Sequence, residues 1–527
     1  MRLPYLIHNG VSVKGPRDSI AFVVYAPFGA DGMLSTYPDG ASHDLSQHPL
    51  MQNLLGVAAC GVHVVALVDR VNSDTYLIQI PAARPADLQV TSRWKLDMAS
   101  PRTLAGLLRY ASEQYPTADL VLSLEGHGAG FLPDIDRAQL SVHNLTDDGK
   151  NVWLIRQQGS VPLPQGSPIL PEGSPILPQG SPILPQGSPI LPAGQMPMST
   201  YGLGRALKDA LDAGAPKPAV IHFNNCFNLS VEVLHTIAPY AGYAVGYPNY
   251  NFFTAGAAYP EVFARLKKQK ATLPVELARW FAEENHAVLA AKGNHPTAGG
   301  VVELACMHEI VERIDDLADA LLVSLRNASG AARARVADDI QAAIVKAQQY
   351  DTTHSDFTLE APDEMTDLRS LAAALDDPKY AAFGVQAAAR ALWQATDGIK
   401  AYGDADRPWV NFDAVWDFRG DLAMNIFLPD PLRKGLWDWR SPYYLDVNPD
   451  PSKPRVQPHI IDFVKITDWV DFIIEYHKDT PFVGLLPAQI PDFPAFNAKF
   501  EPPRKPDRPD QKPPDTPNEP YQRSRVA

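Results

Sequence analysis

Five short, almost continuously apolar runs, Ile20–Tyr25, Val62–Val68, Leu120–Leu124, Ala219–Phe223 and Tyr243–Gly246, alternate with longer amphipathic stretches. A run apolar on both of its faces reads as a strand covered on both sides, and strand–helix alternation reads as βαβ units around a parallel sheet. Ser100 and Pro101 read as N-cap and first residue of a helix over Thr103–Gln114, whose leucines 104, 107 and 108 share one face. Tyr76–Ile80 reads as a hairpin arm. Apolar residues recur at helical spacing over Val301–Arg326, Ala331–Gln349 and Leu368–Ala401, which predicts an accessory helical layer.

Two of the strand candidates hand over to loops with chemistry in them. Leu120–Leu124 leads into Glu125-Gly-His127-Gly128, and Ala219–Phe223 leads into Asn224-Asn225-Cys226. In an open α/β sheet, ligands and reactive groups collect at the carboxyl ends of strands. An imidazole beside a thiol raises its thiolate character and protonates the leaving group, the minimum equipment for a cysteine hydrolase. Taken alone, each residue has a plainer reading, since a lone cysteine usually packs as a small hydrophobe and a lone histidine is more often structural. The other two cysteines, Cys60 and Cys306, lie in helix-like apolar periodicity and read as core.

The surrounding motifs are specific. IAFVVYAPFGADGML, VHVVALVDR, the stretch from Lys95 through the Gly-His-Gly turn, and NNCFNLSVEVLHTIAPYAGYAVGYP resemble, in order and spacing, the clostripain family of cysteine peptidases, relatives of caspases, legumains and gingipains. LAMNIFLPD and DWVDFIIEYHK resemble that family's C-terminal closing strand and helix. The resemblance runs from about Ile20 to Lys478, weakest between Leu266 and Trp409. It implies a caspase-like, mostly parallel α/β sheet flanked by helices, with Cys226 as nucleophile and His127 as general acid/base. The backbone N–H groups of Gly128 and Cys226 are implied as oxyanion donors. A glycine suits that place because it lets the backbone turn sharply beside a substrate carbonyl.

One residue departs from the pattern. Clostripain-like members carry an Asp two residues before the nucleophile, in the pocket for the side chain preceding the cut, and this chain has Asn224, with Tyr247 nearby in the loop after the next strand. A neutral amide does not offset the desolvation of a buried Arg or Lys head group. The only acidic residue between Asn224 and Pro260 is Glu232, on the helix after the nucleophile. A non-basic preference before the cut is therefore expected, and a caspase-like scaffold without activity stands as the alternative. A ligase or transpeptidase is a third reading, since a thioester is resolved by an amine as well as by water.

Composition narrows the partners. The net charge of −14 comes with scattered basic residues, which argues against nucleic acid. No stretch approaches about 18 uninterrupted apolar residues, which argues against a membrane span, and no leader-like run opens the sequence. A cytoplasmic location is the expectation, or secretion if a leader has been removed. Three widely spaced cysteines offer no disulfide framework. With no HExxH, CxxC or phosphate-cradling loop, no metal and no cofactor are expected. A protein or peptide substrate is the expected partner.

Between the His and Cys blocks, residues 159–193 repeat GSPILPQ with period seven, one degenerate copy followed by four close ones. Two prolines per repeat exclude a coiled coil and favour an extended, polyproline-like spacer. Family members are often activated by cutting this interval, so self-cleavage here is an expectation. A cut after a basic residue would fall at Lys150, Arg156 or Arg205. An inert surface insertion is the plainer reading. The predicted layout is an N-terminal part of the peptidase domain with the His (1–158), the Pro-rich insert (159–198), and a second part with the Cys (199–265). A mainly helical accessory region (266–408), a closing strand/helix segment (409–499) and a disordered Pro/charged tail (500–527) follow. The repeat and the tail are candidate recruiters of a protein partner.

Overall fold

The structure is a computed structural model. It describes residues 7–8, 11–12, 19–27, 49–134 and 198–480, the last two spans with short gaps, and His127 falls in one of those gaps. Most of the Pro-rich insert and all of the tail likewise lie outside the described residues.

Nine strands form the central sheet: β1 (Ser19–Pro27), β2 (His63–Asp69), β3 (Thr75–Ile80), β4 (Gln89–Trp94), β5 (Ala118–Glu125), β6 (Val220–Asn224), β7 (Tyr243–Gly246), β8 (Ala298–Glu303) and β9 (Lys400–Gly403). Their spatial order is β9-β8-β7-β6-β5-β1-β2-β3-β4. The middle five, from β7 to β2, are parallel, and the two strands at each edge run antiparallel to their neighbours. This is the mostly parallel α/β sheet that the strand–helix alternation predicts, with Tyr76–Ile80 in the hairpin arm.

The continuous apolar run of β1 follows from double-sided burial. Side chains alternate across a strand. Ile20, Phe22, Val24 and Ala26 therefore enter one core, under the helices α1 (Pro49–Ala59), α5 (Tyr259–Lys268) and α6 (Pro274–Gly293). Ala21, Val23 and Tyr25 enter the other, under α2 (Pro101–Gln114), α3 (Thr200–Asp212), α4 (Val231–Ile237) and α7 (Met307–Arg326). Ser100 is the N-cap of α2 by position, with Pro101 in the first turn, although its hydroxyl makes no capping hydrogen bond.

The span 266–408 departs from its helical expectation in several short strands, Gln349–Tyr350 and Met365–Asp367 among them. Val301 and Val302 lie in β8, paired with Val245 and Ala244 of β7, and α7 begins only at Met307. Lys400–Gly403 forms β9 rather than a helix end. Two consecutive β-branched residues preceded by Gly299 and Gly300 favour a sheet edge over a helix start. Cys306 also differs from its expectation as a core residue: it is exposed, on a single 3-10 turn before α7, while Met307, Ile310 and Ile314 turn inward. Cys60 is half-buried at the end of α1.

Asn425–Phe427 does not join the central sheet. It pairs with Met365–Asp367 in a separate three-stranded sheet, and Asn425 bridges Ser230 beside the Cys block. The two ends of segment 135–197 are held together. Leu132 N–H donates to Thr200 Oγ1 at 2.9 Å, Thr200 N–H to Leu132 O at 3.0 Å, and Ser199 Oγ to Asp134 Oδ1 at 2.9 Å. A long insert therefore leaves the sheet on either side of it in register, at a closure cost that grows slowly with length.

Candidate active site

β5 and β6 are adjacent and parallel, with Glu125 opposite Asn224 as the last registered pair. Their carboxyl ends thus deliver the Gly-His-Gly loop and the Cys loop to one point on the sheet edge. Gly126 turns the chain out of β5 at φ +98°, a conformation open to glycine. Beyond it, Gly128 lies against the Cys loop so closely that a Cβ built on it would stand 2.1 Å from the Cys226 carbonyl oxygen. The same Cβ would stand 2.8 Å from both Asn225 Oδ1 and Asn228 Nδ2. His127, one residue earlier, lies outside the described residues.

Cys226 is half-buried at the turn after β6, and Phe227 follows it at φ +60°. A bulky residue in the left-handed region costs free energy, on the order of 1–2 kcal/mol, and persists where surrounding contacts impose it. Those contacts are visible. Phe227 is buried, its ring meets Tyr250 edge-on at 4.9 Å, and its N–H donates to Asn249 O at 3.0 Å. Asn425 Nδ2 donates to both Phe227 O (2.9 Å) and Pro248 O (2.8 Å), clamping the Cys loop to the loop after β7. The sulfur faces Asn251: the backbone N–H of Asn251 donates to Cys226 Sγ at 3.4 Å, and the thiol donates to Asn251 O at 3.5 Å.

Asn224 and Tyr247 are both buried, 5% and 0% exposed, and their polar atoms are engaged. Asn224 Nδ2 donates to Glu125 Oε2 at 2.8 Å and to Tyr259 OH at 2.9 Å, while Asn224 Oδ1 accepts from Asn251 Nδ2 at 2.9 Å. Tyr247 OH lies 3.2 Å from His222 Nε2. Glu125 is a residue that sequence reasoning missed. Burial pushes its carboxyl up from 4.5 to about 7, against the donors Tyr259, Ser123 and Asn224, which lower it. Burial also drives His222 down to about 3, so its ring is neutral. With Glu125 ionised, Ser123 gives its single proton to Glu125 Oε1 and accepts from His222 Nδ1, leaving Nε2 to accept from Tyr247.

Glu232, in the first turn of α4, is turned away from this network. Its carboxylate accepts from Ser230 Oγ (2.6 Å), Tyr444 OH (2.7 Å) and Phe427 N–H (3.0 Å), holding the C-terminal segment on the core. Arg205 sits inside α3, paired with Asp209 at 2.9 Å. A helical peptide bond does not fit an extended substrate cleft, so of the three basic flanking residues Arg205 is the least suited to cleavage. Among the described residues, no three His, Cys, Asp or Glu side chains gather where a metal ion could be held, and no helix is long and apolar enough to cross a membrane.

Residues 203–454, which contain the Cys strand, the Cys loop and the closing strand, match the model of the clostripain family. Over that stretch the chain is similar to the clostripain family of cysteine peptidases. The similar solved structures include a secreted C11 cysteine protease from Bacteroides thetaiotaomicron with an irreversible peptide inhibitor, at 14% identity, 78% of this chain, 92% of that one and a TM-score of 0.48. Another is an inactive zymogen C11 protease from Parabacteroides distasonis, at 13% identity, 78% and 92% coverage and a TM-score of 0.43. A comparison with curated proteins finds no match. The clostripain match begins at residue 203, after the His loop, so the N-terminal half of the site rests on the geometry of Gly128 and of the β5–β6 pair.

Proposed function

We propose that this clostripain-type chain is an endopeptidase in which the Cys226 thiolate attacks a peptide carbonyl and His127 serves as general acid/base. The oxyanion is received by the N–H groups of Gly128 and Cys226. The carbon–nitrogen bond breaks as His127 protonates the departing amine. Water, deprotonated by the same imidazole, then releases the acid from the thioester through a second oxyanion. The observation that supports this reading is the close approach of Gly128 to the Cys226 backbone carbonyl.

An uncharged residue before the cut is consistent with the setting of Asn224. The amide of Asn224 is committed to Glu125, Tyr259 and Asn251, and the Glu125 carboxyl, 2% exposed, lies behind it. A cationic side chain would meet no open carboxylate there and would keep its desolvation cost. Self-processing between the His and Cys blocks belongs to the same proposal. Lys150 and Arg156 are its basic candidates, and cleavage within the repeats is open to an enzyme of uncharged preference.

Cleavage of a mixed peptide library, with intact mass of the enzyme after incubation, tests the reading. Cys226→Ala is expected to turn over nothing, and His127→Ala to lose about 10²–10⁴-fold, the range for a general acid/base. Wild type alone is expected to cut, and the sites report the preference before the cut. Full turnover by a verified Cys226→Ala protein overturns the mechanism, and cuts confined to Arg and Lys overturn the specificity.

A further inference from the structure

The sulfur of Cys226 has a backbone donor that neither strand end supplies. The N–H of Asn251 points at Sγ from 3.4 Å, from the loop after β7, and the same residue's carbonyl receives the thiol proton at 3.5 Å. The two contacts act in opposite directions on ionisation. A thiol is a weak donor, so little is lost when S–H···O disappears, whereas N–H···S becomes a charge-assisted hydrogen bond once sulfur is an anion. The balance favours the thiolate, provided Asn251 is held in place.

Its side chain is what holds it. Asn251 Nδ2 donates to Asn224 Oδ1 at 2.9 Å, and Asn251 Oδ1 accepts from Asn285 Nδ2 at 2.6 Å. Asn285 lies on α6 and also lies 3.3 Å from Thr254 Oγ1, while Asn224 lies at the end of β6 and donates to Glu125 at the end of β5. Asn224, Asn251 and Asn285 are all buried, at 5%, 5% and 1% exposure. A buried amide is costly to leave unpaired, so each link fixes the next. The relay therefore runs from Glu125 at the end of β5, through the residue two before Cys226, to the loop that faces the sulfur, and ends on α6.

We propose that Asn251 is a catalytic residue through its backbone, donating to the Cys226 thiolate, and that Asn224 and Asn285 are positioning residues that aim this donor. The inference rests on Cys226 being the nucleophile, but it concerns thiol reactivity and is measurable without any peptide substrate. The donor prepares the nucleophile before substrate binds.

The test is the pH dependence of Cys226 alkylation by iodoacetamide in the full chain, in a Cys60→Ala/Cys306→Ala background so that one thiol reports. The parent is expected to show an apparent thiol pKa below the ordinary value of about 8.5. Asn251→Ala and Asn285→Ala are each expected to raise it by about one unit, which slows alkylation about tenfold at any pH below both values. Asn285→Ala leaves the strand ends and the loop backbone intact in sequence, and it serves if Asn251→Ala does not fold. Thermal melting of each variant separates the shift from loss of structure, because a merely structural role lowers the melting temperature without moving the thiol pKa. An unchanged pKa in a folded Asn285→Ala protein overturns the proposal. A parent whose thiol shows the lowered pKa and its loss in the variants, yet cleaves no peptide, supports the donor and counts against the peptidase reading.

Discussion

Replacing Gly128 by alanine adds one methyl group at the point where the two halves of the site meet. The added Cβ would stand 2.1 Å from Cys226 O and 2.8 Å from Asn225 Oδ1 and Asn228 Nδ2, whereas ordinary contact begins at 3.4 Å. The Cys loop is poorly placed to yield. Phe227 is bonded to Asn249 and Asn425, Asn225 Nδ2 donates to Leu124 O at 3.3 Å, and Asn228 Nδ2 donates to Asn225 Oδ1 at 2.8 Å. The movement, about 1 Å to relieve a backbone clash of this depth, therefore falls on the Gly-His-Gly loop. Overpacking costs about 1–3 kcal/mol of stability, and a displacement of about 1 Å between reacting groups costs about 10²-fold in rate. Gly214→Ala is the matched control. Gly214 has φ +93° with nothing within 4 Å of a built Cβ, so its alanine carries only backbone strain, about 1–2 kcal/mol. With kcat/KM on a cleaved peptide and thermal melting measured for both, Gly128→Ala is expected to lose about 10²-fold activity while folded, and Gly214→Ala to lose stability alone. Wild-type kcat/KM in Gly128→Ala would refute the placement of the His loop against the Cys226 carbonyl.

Two further outcomes follow from the buried carboxyl. Burial raises Glu125 from 4.5 to about 7 in the folded chain, so between these values the folded state holds a proton that the unfolded state has released. Its contribution is thus fully present below about pH 4.5 and is lost as pH rises through about 7. Glu125→Gln removes this dependence: chemical denaturation across that window should show the variant gaining stability relative to wild type as pH rises, and a constant difference would count against the buried, protonating carboxyl. Asn224→Asp sets a second carboxylate where the amide now donates to Glu125 Oε2 at 2.8 Å. Two carboxyls at that range keep one proton between them, so the variant's melting temperature should fall more steeply than wild type's from about pH 6 to about pH 9. Parallel melting curves would show that the two side chains are not in contact.

The sheet and both loops of the candidate site were legible in the chain, because a strand buried on both faces must be apolar throughout and because β5 and β6 announce their ends with glycine, histidine and cysteine. Helix α2 was equally legible from its serine, proline and leucine spacing. Val301 and Val302 were not, since a short apolar run next to a long amphipathic helix carries no periodicity of its own, and pairing with β7 decided them. Cys306 was misplaced for a related reason: its apolar neighbours are core, and only the turn before α7 puts its sulfur outside. Glu125 could have been found by parity, because it occupies the register position opposite Asn224 and shares its face of the sheet.

Nothing comparable marked Asn251, Asn285 or Asn425. Each is an ordinary polar residue in sequence, and each has its role through partners between 25 and 198 positions away. By itself the sequence determined which residues are buried along each strand, that Cys226 and His127 follow strand ends, and that position 224 carries an amide rather than a charge. Apolar periodicity and strand-end chemistry are local properties, written within a few residues. Only the tertiary structure decided that a carboxyl lies behind that asparagine and that a backbone N–H faces the sulfur. Hydrogen bonds between distant segments depend on where packing brings those segments, and that placement follows from the whole core rather than from any stretch of the chain.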